Sequence, residues 1–419
     1  MGLFGIGKKK RRDSDYHAIS LDIGTEFVKA LIFRVEKDTA TIIGVGRQRQ
    51  RLADMHGGMV TDIQGVIRNC EAALGEAAEQ AKTLPDQVVI GIAGELVKGT
   101  MTTVRYIRPD SQAQIDFAEL KEIIGKVHTS SFERARSILA LETGHQEVDV
   151  KLVNAAITDV EIDSYKVTNP LGFQGKEVQV GIFNAFAPVV HLGALQTIAD
   201  RLDLDLLAIA AEPYAVARVL GPDEGNDFSA IFIDVGGGTT DIAVVSQGGV
   251  EGTKMFALGG RAFTKRIANQ LGESFLEAER KKLKYSAGKL EDETKRKVKQ
   301  AIEADCQVWF AGVELTLGDF TGVDLLPSRI YLCGGGSKLP DIKQTLEKAV
   351  WSRSLPFARR PTIHYLKPSE IPRVKDTTGE IIDVQDVTPM ALANLGIELV
   401  GSEGMVEAIL SKTVKSLRA

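Results

Sequence analysis

The sequence predicts an α/β protein made of two similar halves around a cleft, on three observations. At 231–245 the chain reads IFIDVGGGTTDIAVV: an apolar run, Asp234, three glycines, two threonines, Asp241 and a second apolar run. β-Branched and aromatic flanks about a glycine turn form a hairpin. Far earlier, HAISLDIGTEFVKALIFRV (17–35) repeats that shape with Asp22, Gly24 and Thr25 in the turn. Two such units in one chain signal an internal duplication. Elsewhere, short buried-strand runs alternate with helical patterns, as an α/β core requires.

The two turns carry recognisable chemistry. Glycines let backbone N–H groups close on an anion. Thr239 and Thr240 add hydroxyl donors. Asp22, Asp234 and Asp241 bring negative charge beside the anion site, which makes chemical sense if a hard cation such as Mg²⁺ lies between them. The duplication sets the two acidic hairpins on opposite sides of one cleft.

Composition narrows the function. At 419 residues the chain exceeds one ordinary core, and its 44% hydrophobic and 26% charged content is that of a globular protein. A net charge of −5 argues against general nucleic-acid binding. Cys70, Cys306 and Cys333 are scattered and odd in number, so a disulfide framework is not expected and a reducing cytosol is. Six dispersed histidines without HExxH argue against zinc. No apolar run has membrane-spanning length. The opening MGLFGIGKKKRR places its basic block after a short apolar piece, the reverse of a secretory signal, and Ile6 breaks a myristoylation pattern. The run from Lys8 to Arg12 reads either as a solvated tail or as an electrostatic membrane contact.

Taken in order, 40–46 is a third strand, 63–81 a helix and 87–94 a buried strand. Residues 97–106 form an exposed strand, 117–127 a helix and 147–166 further strands, with NPLGFQG (169–175) as a turn. The chain re-enters the first core at 178–186, followed by a helix (189–201) and a strand (204–211). Pro213 opens the next helix behind Glu212, and PDEGND (222–227) turns into the central hairpin. Gly259 and Gly260 form a glycine step before the helix at 262–271. Residues 274–307 are charged and helical, 330–333 a strand, and Gly334, Gly335 and Gly336 a strand-to-helix turn. KDTTGEI (375–381) reads as a polar hairpin and 388–395 as a small-residue helix closing the first core. At 402–418, Met405, Val406, Ile409, Leu410, Val414 and Leu417 share one helical face, for packing on the protein itself or for lying on a membrane surface.

Three glycine loops and two Asp-Gly-Thr hairpins in this order resemble the actin-like ATPase superfamily. The resemblance spans nearly the whole chain. Its implied fold is two duplicated ribonuclease-H-like halves around a nucleotide cleft, with an inserted α+β subdomain in the first half. DIGT (22–25) resembles the first phosphate loop, DVGGGTTD (234–241) the second, CGGGSKLP (333–340) the adenosine loop, and AEP (211–213) the connecting segment. Within the superfamily, IIGVG, GGMVTDI, VVIGIAG, NPLGFQG and VGGGTTDIAVVSQGGV resemble the FtsA family of bacterial cell-division proteins; Val28-Lys29 looks more like its pilus-assembly relative PilM.

The resemblance implies ATP with Mg²⁺, the metal held by Asp22 and Asp234 mostly through waters. It implies phosphate contacts from Gly24, Thr25, Gly236, Gly237, Gly238 and Thr239, cofactor binding by Gly259 and Gly260, and a water oriented by Glu212 with Asp241 as second candidate. Gly334–Gly336 would pass under the adenine. Glu279 and Lys282 would reach adenosine, or else form a surface i,i+3 ion pair. The domain reading is a basic tail (1–15), a first actin-like domain (16–84 and 181–225), the inserted subdomain (85–180), a second actin-like domain (226–384, with a helical subdomain at about 261–325), a return segment (385–401) and an amphipathic helix (402–419). The implied role is a cytoplasmic, slow ATPase at the inner face of the cell membrane. It would self-associate, join other divisome proteins and tether FtsZ, the division tubulin homologue. A PilM-like peptide-binding scaffold and a sugar-kinase-type enzyme are the alternatives; no acceptor-site Asp can be named for the last.

Overall fold

The computed structural model describes residues 16–400 except 95–96, 127–128, 130–132, 134–136, 138–148, 168, 221–227, 321 and 352–353. The basic run from Lys8 to Arg12, the PDEGND turn and the segment 402–419 therefore lie outside the described residues.

The chain opens with a meander of β1 (Tyr16–Ile23), β2 (Phe27–Glu36) and β3 (Thr39–Arg49). A two-stranded ribbon of β4 (Met55–His56) and β5 (Met59–Val60) leads into α1 (Ile63–Ala81), and β6 (Gln87–Ile92) follows. The inserted module comprises β7 (Lys98–Ile107), helix α2 (117–126), β8 (Val150–Ile162), β9 (Tyr165–Lys166) and β10 (Glu177–Pro188). Then come α3 (Val189–Arg201), β11 (Asp205–Ala211) and α4 (Glu212–Arg218).

The second half repeats the meander as β12 (Ala230–Val235), β13 (Thr240–Ser246) and β14 (Gly249–Phe256). Three helices follow: α5 (Gly260–Leu271), α6 (Phe275–Ser286) and the long α7 (Asp292–Gly318). Ser274 and Glu277 close a capping box at the start of α6. The rest is β15 (Arg329–Cys333), α8 (Pro340–Lys348), β16 (Thr362–Tyr365), β17 (Val374–Asp376) and α9 (Val387–Val400).

Pairing confirms the duplication. The first sheet runs β11-β6-β1-β2-β3-β17, and the second contains β16-β15-β12-β13-β14. In both, two antiparallel hairpin partners lie on one side of the first strand. Two parallel strands lie on the other side. Each sheet has its own apolar core, with Ile19, Phe33 and Ile90 in one and Ile231, Phe263 and Trp309 in the other. The expected α/β, actin-like architecture is the one observed.

Three details differ from the sequence reading. β6 is a central, parallel strand of the first sheet, so the inserted segment departs after residue 92 rather than at 85; its run VVIGI is apolar throughout because both faces are covered. β10 is unbroken across 177–188 and pairs with β7 and β8, so the chain does not rejoin the first sheet at 178. Its Val178, Val180 and Ile182 enter the module's own core, and Phe183, Ala185 and Ala187 the first core. KDTTGEI is not a hairpin: β17 pairs in parallel with β3, and the Asp376 carboxylate accepts from the N–H groups of Thr378, Gly379 and Ile381, forming a turn. The inserted strands also extend the second sheet, since β7 pairs with β14 at Gly99↔Thr253 and Thr100↔Gly252. An otherwise open edge of that sheet is thereby covered.

A candidate cleft lined by both hairpins

The two turns meet. A Cβ placed at Gly237 would lie 2.9 Å from Glu26 Cβ, and one at Gly238 would lie 3.0 Å from the Thr25 side chain. Only bare backbone fits at this junction. Beside it opens a cavity of about 410 Å³. Of the residues singled out by sequence, Asp22, Gly24, Thr25, Glu212, Asp234, Gly236, Gly237, Thr239, Asp241, Gly260, Glu279, Lys282 and Gly334–Gly336 line it. Gly238 and Gly259 stand just behind the wall. Gly259 packs on the Gly236 carbonyl and on Thr239, where a Cβ would come within 2.7 Å and 2.8 Å.

Along one wall lie four carboxylates, one of them paired with an ammonium. Asp22 and Lys29 sit opposite each other in the β1–β2 register, and Lys29 Nζ donates to Asp22 Oδ2 at 2.8 Å. Asp234 Oδ2 accepts from Thr388 Oγ1 at 2.6 Å, across from the return helix α9. Thr239 Oγ1 donates to Asp241 Oδ2 at 3.0 Å. Glu212 opens α4, whose Tyr214 stacks on Phe183 at 5.0 Å; Asn154 Oδ1 accepts the Ala211 N–H at 2.7 Å. Strands of the inserted module thus fix where Glu212 stands.

The charges are unbalanced. Burial, then the nearby charges of Asp22, Asp241 and Asp234, push Glu212 well above the ordinary carboxylate range. Burial and then Asp234 push Asp241 up to about 7. Burial also raises Asp234, against the Thr388 hydrogen bond and Lys29. For Lys29, burial pulls the ammonium down, but the charge and hydrogen bond of Asp22 outweigh it and its value rises. Excess negative charge lined by hard oxygens suits a divalent cation. Among the described residues no three His, Cys, Asp or Glu side chains form a ready metal cluster. The donor set fits a cation that keeps most of its shell as water or anionic ligand oxygens.

Elsewhere along the cavity, Lys282 Nζ bonds Glu279 Oε2 at 2.8 Å, the Gly260 carbonyl at 2.9 Å and Thr264 Oγ1 at 2.7 Å. The i,i+3 pair exists, but it is buried in the cavity wall rather than at the surface. Gly334 has φ of 80°, and a Cβ there would lie 2.0 Å from Asp234 Oδ1, so no other residue is accommodated.

Lys29, Glu26, Arg261, Lys338, Gln385 and Thr388 also line the cavity and escaped the sequence reading. The hairpin register alone identifies Lys29, since it faces Asp22 across the strand pair. Arg261 follows the glycine step and crosses to the first half. Its Nε donates to Glu26 Oε2 at 2.8 Å, Nη2 to the Thr25 carbonyl at 2.6 Å and Nη1 to the Met55 carbonyl at 3.1 Å. Lys338 pairs with Asp383.

The sequence profile of the family described as "Cell division protein FtsA" matches residues 231–378. Cell division protein FtsA of Neisseria meningitidis serogroup B is 27% identical over 351 residues, 78% of this chain and 80% of that protein. FtsA of Bacillus subtilis is 25% identical over 346 residues, covering 77% and 74%. Among solved structures, a PilM-PilN type IV pilus biogenesis complex superposes with a TM-score of 0.65 at 18% identity, covering 92% of this chain and all of that one. The chain is a relative of the FtsA cell-division proteins with an actin-like ATPase fold.

Replacing Lys29 with methionine leaves buried Asp22 without its ammonium partner. Urea unfolding in the absence of divalent cations is expected to show a loss of about 3 kcal/mol, the cost typical of orphaning a buried ion. An unchanged midpoint overturns the charge balance described above.

Proposed function

We propose that the cleft binds ATP with Mg²⁺ and that the chain works as a nucleotide-dependent actin homologue in bacterial cell division. The convergence of five sequence-distant stretches, around Asp22, Glu212, Asp234, Lys282 and Gly334, on one cavity of about 410 Å³ supports this reading. Such a volume lies within the range of small-molecule sites. Gly24, Thr25 and Gly236–Thr239 offer backbone and hydroxyl donors to phosphates, backed by Gly259 and Gly260. Lys29 adds a cation beside Asp22. Magnesium, when bound, would neutralise phosphate charge, with Asp22 and Asp234 holding it. Glu212 orients the attacking water, and Asp241 is a second acceptor. Lys282 and Glu279 reach the ribose and adenine, and Gly334–Gly336 pass beneath the base. With Glu212 the main base, hydrolysis is slow and serves conformation rather than turnover.

As an FtsA relative, the protein would self-associate, join divisome proteins, tether FtsZ and touch the cytoplasmic face of the membrane through 402–419, assisted by Lys8 to Arg12. The likeness in fold to a chain of the PilM–PilN complex, which is covered over its whole length, supports a second reading, a scaffold binding a peptide of a membrane protein.

Asp234→Ala is expected to abolish Mg-ATP binding in a calorimetric titration; unaltered affinity sinks the site assignment. A pull-down from the source cell distinguishes the two partner readings. Recovery of FtsZ supports the division role, and recovery of pilus inner-membrane proteins replaces it with the scaffold. Deletion of residues 402–419 is expected to release the protein from anionic liposomes; equal sedimentation with and without them removes that segment as the anchor.

A further inference from the structure

We propose that Trp309 is a positioning residue for the phosphate cradle, gripping both glycine turns from behind the sheet. The proposal rests on the nucleotide-binding reading above. Along β13 the side chains alternate. Thr239 and Asp241 line the cleft, whereas Thr240 points the other way, into the second core, and is fully buried. There Trp309 Nε1 donates to Thr240 Oγ1 at 2.9 Å, and Thr240 Oγ1 donates to the Leu258 carbonyl at 2.7 Å. Leu258 immediately precedes Gly259 and Gly260.

At the front of the sheet the same two turns are joined by backbone alone. Gly260 N–H donates to the Gly236 carbonyl at 2.9 Å and Arg261 N–H to the Gly237 carbonyl at 2.7 Å. The chain Trp309–Thr240–Leu258 closes the rear of this unit. With its proton donated and a lone pair occupied, the Thr240 hydroxyl has a fixed rotation. The glycines cannot hold their own conformation, having no side chains to pack, so the restraint must come from neighbours such as this.

Packing does not explain the tryptophan by itself. Trp309 is fully buried on α7, and apolar bulk at that point needs no donor. A buried indole N–H is costly unless partnered, so its placement on the residue between Thr239 and Asp241 ties α7 to the cradle. The N–H touches no ligand and acts only through Thr240.

The test uses the full chain, with Mg-ADP and adenosine as calorimetric probes and thermal melting alongside. Trp309→Phe and Thr240→Val are each expected to weaken Mg-ADP by about fivefold to tenfold, the scale of one buried hydrogen bond, while adenosine stays within about twofold. Thr240→Ser, which keeps the hydroxyl, is expected to restore Mg-ADP affinity. The double variant is expected to bind no more weakly than Thr240→Val, because the two changes remove one shared chain of bonds. Equal losses for adenosine and Mg-ADP, multiplying losses in the double variant, or lowered melting with unaltered Mg-ADP affinity each overturn the proposal. Should Trp309→Phe fail to fold, the Thr240→Val and Thr240→Ser pair decides on the same criteria. If the unmodified chain binds neither probe, the nucleotide reading fails and takes this proposal with it; if it binds both and the variants match it, only this proposal falls.

Discussion

Everything at the centre of this molecule answers to an excess of negative charge. Asp22, Glu212, Asp234 and Asp241 lie close enough to act on one another's charge, Lys29 pairs with Asp22, and burial raises the cost of every unpaired carboxylate. A chain selected only for stability would replace some of these groups with apolar ones. Their retention, each held by a separate donor or helix end, marks the place where local cost is carried for a purpose elsewhere. The fold supplies the compensation it can: Lys29 from the facing strand, Thr388 from the return helix and Thr239 from the turn itself. What remains uncompensated is a buried excess of carboxylate oxygen, the donor type that suits a hard cation.

The duplication explains how one such point arises from two sheets. Each half presents a hairpin whose turn carries an aspartate, and placing the halves face to face puts the turns tip to tip. The copies are not equivalent. The first turn holds one glycine and the second three, so the second turn can lie flat against Glu26 and Thr25 without a Cβ in the way. The inserted module is a further asymmetry. It leaves the chain within the first half yet extends the sheet of the second, and through Asn154 and Phe183 it also steadies the start of α4. A module joined to both sheets and to Glu212 is mechanically part of the cleft.

The sequence made both hairpins legible because their signal is local: an apolar alternation interrupted by Asp, Gly and Thr fixes a turn regardless of the surroundings. β6 was legible as a strand but not as a central one, since an apolar run reads alike in any buried position. The pairing of β7 with β14 and of β17 with β3 depends on tertiary approach, which no window of sequence contains. The same distinction divides the cleft residues. Asp22, Asp234 and the glycines lie inside motifs and were found. Arg261 and Thr388 act across gaps of chain, and their types are ordinary at the positions they occupy. Lys29 lies between these cases, because seven residues of hairpin register lead from Asp22 directly to it. Glu279 and Lys282 show the limit of spacing: the i,i+3 pair was readable, but whether it faced solvent or a cavity was not.

The cross-cleft contacts share a further property. Thr388 to Asp234, Arg261 to Glu26 and the Thr25 carbonyl, and Lys338 to Asp383 all join distant segments, and the five residues of the first two contacts and Lys338 line the charged cavity. The Arg261 guanidinium is satisfied by four acceptors of the first half, so separation of the turns would leave several polar groups unpaired at once. Contacts that join the two halves therefore lie beside the concentrated charge as well as where β7 pairs with β14. Asp234 belongs both to the acidic cluster and, through its hydrogen bond with Thr388, to the contacts that join the halves.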